Sequence, residues 1–168
     1  MKKLSFFTLI ELALAAITIS LLLIFAVIVA RNNVRQSSLE KELLDSIDNA
    51  VTVCDSYAEK INIEENLRDD LDIYISNIKN EKSVPRKAYY ARIMLTYTQN
   101  RVNMNDPQTL FELAQELGDN YTTSSAEIAA YKSYITEITE AFSRFNAAYE
   151  AYTNFRPDKG QTTAIEID

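Results

Sequence analysis

The chain has 168 residues, 17 basic against 24 acidic, and a formal net charge of −7. A length of this order suits one small domain plus an anchor, and leaves little room for two folded domains. Acidic surfaces repel phosphate backbones and anionic lipid heads, so nucleic acid is excluded as a partner. There is no His at all, and Cys54 is the single cysteine. That removes the usual general base, the usual zinc ligand, any intrachain disulfide and any thiolate cluster.

The first element in the chain is an oily one. Leu12 to Ala30 contains no charge, no Gly and no Pro, only aliphatic residues and Phe with Thr18 and Ser20 among them. As a helix it measures roughly 28 Å, close to the ~30 Å hydrocarbon thickness of a bilayer. Hydroxyls at Thr18 and Ser20 can bond back to helix carbonyls, so they do not forbid a span. A cleaved secretory signal has a shorter apolar region and a small-residue cleavage site, whereas this run flows on into a helical pattern. The sequence therefore predicts a retained single-pass helix over residues 7–30. Lys2 and Lys3 favour a cytoplasmic N-terminus in an inner membrane, while Arg31 and Arg35 lie on the far flank.

Within that element runs Phe7-Thr8-Leu9-Ile10-Glu11-Leu12. With a short basic leader before it and an apolar helix after it, this string resembles the N-terminus of type IV pilins and of the pseudopilins of type II secretion. The resemblance covers about the first 45 residues. It implies a leader of residues 1–6, cleavage by a prepilin peptidase between Phe6 and Phe7, and methylation of the new amine. Phe6 stands where the family usually carries Gly. Glu11 becomes the fifth residue of the mature chain, and the family's carboxylate at that place neutralises the N-terminal amine of a neighbouring pilin-like subunit. Two readings of Glu11 stand side by side. A carboxylate in hydrocarbon needs a partner and marks function. Equally, Leu12 to Ala30 spans unaided, which leaves Glu11 hydrated at the interface beside the lysines.

Beyond Ala30 the pattern remains helical. Leu44, Ile47, Val51, Cys54, Ala58 and Ile61 recur every three or four residues, so one unbroken helix of 50 residues or more is expected to run from membrane to domain. Ile63, Leu67, Leu71, Tyr74 and Ile78 continue an apolar face in a shifted phase, which points to a kink or short break near Asn62. Asn80 to Lys87, with Pro85, reads as a loop. Ala88 to Thr98 places Tyr89, Tyr90, Ile93, Met94 and Tyr97 at helical spacing, while Ile93 to Thr98 followed by Gln99-Asn100 also fits the start of a hairpin. Asp106-Pro107 opens a short helix whose Leu110, Phe111, Ala114 and Leu117 face one way and which Gly118 stops.

Ser124 and Glu127 form a capping box at the start of the last helix. Ile128, Tyr131, Ile135, Ile138, Phe142, Phe145, Tyr149 and Tyr152 follow in strict alternation of three and four, the mark of a long helix packing lengthwise. Pro157 and Gly160 are expected to end it, leaving a polar tail over 158–168. Phe145-Asn146, Tyr149, Tyr152 and Phe155-Arg156-Pro157, with Phe111 to Leu117 before them, loosely resemble the C-terminal helices of LemA-type membrane proteins. That second resemblance implies a permanently embedded helical bundle acting through protein–protein contacts.

The expected fold is mainly α: a transmembrane helix continuing as an amphipathic stem, packed with further helices as an antiparallel bundle over 31–157. Neither a catalytic residue, a metal ligand nor a cofactor site is read from the chain, because no nucleophile–base pair or phosphate-cradling glycine loop can be assembled from it. Glu64-Glu65 and Asp69-Asp70 read as a solvated helix face. The residues that carry a functional hypothesis are Phe6, Phe7 and Glu11, with lipid, the peptidase and other subunits as the partners implied. The function expected is that of a structural subunit that assembles through its apolar helix into a pilus or secretion pseudopilus.

Overall fold

The computed structural model describes residues 6–60, 65–118 and 122–156. Among them are five α-helices and no strand: α1 (Phe6–Lys60), α2 (Glu65–Asn80), α3 (Val84–Met104), α4 (Pro107–Leu117) and α5 (Ser125–Asn154). The described residues form two compact units. One contains α1 up to Ser38 together with Asn154 to Arg156; the other runs from Leu39 to Thr153.

Helix α1 extends over 55 residues without a break, as its lack of Gly and Pro permits. In the first unit, the Arg35 guanidinium lies 5.6 Å from the ring centre of Phe155. In the second, α1 presents Leu43, Ile47, Ala50, Cys54 and Tyr57 to the core. This line corrects the expected one, which began at Leu44 and took in Val51 and Ala58. Ile47 and Cys54 belong to both, whereas Leu44, Val51 and Ala58 sit half-buried on the flank. Small residues decide the phase. Ser46 and Ala50 are both buried, and the Ser46 hydroxyl donates to the Leu43 carbonyl at 2.7 Å, so that side chain is not stranded. Ile61, and the break expected near Asn62, lie outside the described residues.

In α2, Leu71, Ile75 and Ile78 are buried and Tyr74 is half-buried, in keeping with the expected face. Ile63 and the Leu67 side chain fall outside the description. The connection to α3 is shorter than expected, residues 81–83 rather than Asn80 to Lys87. Pro85 sits in the first turn of α3, where a missing N–H costs nothing, so it starts a helix instead of interrupting one. The turn is held by the Glu81 carboxylate, which accepts from the amides of Lys82 at 2.8 Å and Ser83 at 2.9 Å. Those hydrogen bonds hold the Glu81 carboxyl below its ordinary range.

Helix α3 packs against α2 and reaches Met104, well past the expected Thr98. The hairpin alternative is contradicted, since Ile93 to Asn100 is helical throughout. Gln99 and Asn100 do not break the helix, because Thr98 and Val102 on either side of them are buried. Inside, the Thr98 hydroxyl donates to the Met94 carbonyl at 2.8 Å. The inward line is Ala88, Ala91, Met94, Leu95, Thr98 and Val102, which corrects the aromatic face expected here: Tyr89 is exposed, and Tyr90 and Tyr97 are half-buried.

Helix α4 has the expected ends. The Asp106 side chain accepts from the Gln108 amide at 3.4 Å and from the Thr109 hydroxyl at 2.8 Å, and Gly118 closes the helix at φ 75°. Its expected apolar face is only partly covered, however, with Leu110, Phe111 and Ala114 half-buried and Leu117 exposed.

The capping box of α5 is formed in full. Glu127 N–H donates to Ser124 Oγ at 3.2 Å, and Ser124 N–H donates to the Glu127 carboxylate at 2.8 Å. All eight apolar positions expected along α5 are buried or half-buried, and Ala141 and Ala148 complete the innermost line with Ile138 and Phe145. The helix ends at Asn154, in keeping with the restriction that a proline places on the residues before it. Pro157, Gly160 and the expected tail lie outside the described residues. Among the described residues α1, α2, α3 and α5 supply one hydrophobic core, while the one buried residue of α4 is Pro107.

Candidate functional site

The expected processing and assembly residues stand at the head of α1. Phe6 opens the helix, and Phe7 and Glu11 follow on one face, four residues apart. That spacing corresponds to roughly 6 Å along the axis. Residues 1–5, with Lys2 and Lys3, lie outside the described residues. Phe7 is 76% exposed and Glu11 is exposed as well.

From Phe7 through Val27 every side chain is exposed, and the surface is apolar but for Glu11 and a few hydroxyls. This α1 segment is long and apolar enough to cross a membrane. Water penalises each of its exposed Leu, Ile, Val and Phe side chains by about 1.5–3 kcal/mol relative to burial, so a surface of this extent needs lipid or protein around it. Its hydroxyls are already satisfied: Thr18 donates to the Leu14 carbonyl at 2.9 Å and Ser20 to the Ala16 carbonyl at 2.8 Å. Between Glu11 and Arg31 the helix therefore offers neither a charge nor an unbonded hydroxyl proton.

Sequence reasoning missed a second feature, the polar centre inside the head. Tyr57 of α1 and Tyr131 of α5 are both buried, and their hydroxyls meet at 3.3 Å. Tyr134 sets its ring edge-on to each, at 6.0 Å and 6.4 Å. Tyr57 was not among the apolar positions expected along the stem; its heptad step from Ala50, and its three-residue step from Cys54, were the available signal. Burial, then the hydrogen bond to Tyr131, raises the Tyr57 phenol far above its ordinary range. Cys54 lies one turn away, wholly buried. Burial pushes its thiol from 9.0 up to about 11, against an opposing hydrogen bond with Thr98.

Cys54 is therefore a packing residue with an inert thiol. Because the folded thiol holds its proton to higher pH than the unfolded one, its contribution to stability is complete below pH 9 and is lost as pH rises towards about 11. Denaturant midpoints taken from pH 8 to 11 should fall across that window, and Cys54→Ala should flatten the fall. An unchanged slope in the alanine variant would assign the loss to the tyrosines instead.

In the first half of α2, the Tyr97 hydroxyl donates to Asp70, and Arg68 bridges Asp72 at 3.3 Å and Asp55 at 3.0 Å. Asp70 thus serves in a hydrogen bond between helices rather than on a purely solvated face. Among the described residues no three Cys, Asp or Glu side chains converge. No family model matches the chain, and neither a curated protein nor a solved structure matches it.

Proposed function

We propose that the chain is a membrane-anchored structural subunit of the pilin or pseudopilin kind, held in the inner membrane with its N-terminus cytoplasmic and its helical head outside. The observation that carries this reading is the exposed apolar surface of residues 7–27 on an unbroken helix that continues into the head. A rod of that composition is stable in a bilayer, and it is equally stable among copies of itself in a filament core. Glu11 is its single charge, placed one turn after Phe7, where a neighbouring subunit's N-terminal amine would pair with it. Prepilin peptidase and other pilin-like subunits are the partners this reading requires.

The N-terminal mass of the chain recovered from cells tests the proposal. A mature chain that begins at methylated Phe7 supports it, and an intact Met1 contradicts it. Glu11→Gln should leave membrane insertion intact and reduce filament incorporation at least tenfold, measured by shearing and quantifying the surface fraction.

One observation favours a second reading. The resemblance to pilins implies a head in which the stem packs on an antiparallel sheet, whereas the described residues of this head contain no strand. A LemA-like protein, permanently embedded and acting through protein–protein contacts, has an all-helical head of this kind. Under that reading Met1 is retained and Glu11→Gln changes nothing measurable in the anchored state.

A further inference from the structure

Helix α4 buries only Pro107, and it carries an apolar row that the described residues leave exposed. Leu113 is 50% exposed and Leu117 71% exposed. Four residues apart, they stand in line along the helix, and Glu112 and Glu116 form a parallel acidic row beside them. The wider segment is acidic without relief: residues 102–131 hold five carboxylates and no Lys or Arg.

The opposite composition occurs at the α2–α3 corner. Residues 79–92 hold five basic side chains against Glu81 alone. On α3, Arg86, Tyr89 and Arg92 follow at steps of three, all exposed, with the Tyr89 ring 62% open to solvent. Beside Arg92 an open groove of about 380 Å³ runs between α2 and α3, lined by Tyr74, Arg92, Ile93, Thr96, Tyr97 and Asn100. The rings of Tyr74 and Tyr97, 5.8 Å apart, give it an apolar floor. The acidic residues nearby are engaged internally, Asp70 by the Tyr97 hydroxyl and Asp72 by Arg68.

We propose that the head self-associates head to tail, the Leu113–Leu117 row of α4 docking in the α2–α3 groove of a second copy, with Glu112 and Glu116 facing that copy's Arg86 and Arg92. Charge complementarity selects this occupant. An anionic lipid surface is repelled by the acidic segment, and two α4 helices pairing with one another would oppose carboxylate to carboxylate. A contact between two different surfaces leaves one of each free on every pair, so it propagates into rings or open rows rather than closing at a dimer. The proposal does not rest on the pilin-type reading, since a permanently embedded chain makes the same contact and its N-terminal mass is irrelevant to it.

Sedimentation of the full chain in non-ionic detergent micelles tests this. The wild type should form species larger than a dimer at low salt, and the association should weaken at least tenfold at about 0.5 M salt, where charges are screened within a few Å. Glu112→Lys with Glu116→Lys should abolish it, as should Arg86→Glu with Arg92→Glu in a separate chain. An equimolar mixture of the two reversed chains should regain the large species, because each then offers what the other lacks. Leu113→Ser with Leu117→Ser, both at exposed sites, should weaken association without altering helicity by circular dichroism. A wild type that does not exceed a dimer, reversed chains that sediment like the wild type, or a mixture no larger than its parts would each overturn the proposal. Association driven by the anchor alone gives the second of these results.

Discussion

Phe145→Ala should lower the unfolding free energy of the head by about 3–5 kcal/mol, the usual cost of emptying a large buried aromatic site. Phe145 is fully buried on α5, stacked on Tyr149 with ring centres 5.9 Å apart. It lies within the buried line of Ile138, Ala141 and Ala148 on α5. The whole stability of a domain this size is about 5–15 kcal/mol, so the variant should stand near the edge of folding. Denaturant unfolding followed by circular dichroism provides the measurement. A loss below about 1 kcal/mol would mean that α5 is not packed lengthwise into the core.

The other large effect lies in the apolar rod. Leu21 stands at the middle of the Leu12 to Ala30 stretch and is exposed, so Leu21→Arg disturbs nothing within the chain itself. Placing Arg at the centre of a span raises the apparent insertion free energy by about 3 kcal/mol, roughly two orders of magnitude in the insertion equilibrium. Val34→Arg, at another exposed apolar position beyond the stretch, should have no comparable effect. Comparing the membrane-integrated fractions of the two variants separates lipid insertion from simple hydrophobic association. Equal behaviour would contradict a span over 12–30.

Much of this architecture was legible because its signals are local. The Asp106-Pro107 start, the Gly118 stop and the Ser124–Glu127 box each satisfy backbone groups that a helix end leaves open, and the chemistry that does so is written in adjacent residues. The α5 line was legible because large apolar residues recur along it every three or four positions, although the buried Ala141 and Ala148 were not marked by size. The α1 stem was harder. Its core-facing positions include Ser46 and Ala50, small side chains that a search for large aliphatics passes over, so the expected stripe took Leu44 and Val51 beside Leu43 and Ala50. Pro85 carries the same ambiguity in another form, since proline both ends helices and begins them, and its neighbours Glu81 and Ser83 settle which.

Phe6, Phe7 and Glu11 differ from these elements because their proposed roles do not depend on contacts within one chain. The fold places them at the start of a helix and leaves Phe7 and Glu11 exposed. A partner surface, whether lipid, peptidase or another subunit, would complete that site. The same holds for Leu113 and Leu117, where exposure on a helix outside the core was not visible in a sequence pattern that only marks one face as apolar.

Alkaline extraction of the full-length chain, expressed in cells, tests the membrane anchor most directly. The chain should pellet with lipid, resist carbonate and enter solution only with detergent, with a protease-protected fragment spanning residues 12–30. Recovery as a detergent-free soluble monomer, with that segment accessible to protease, would contradict the account.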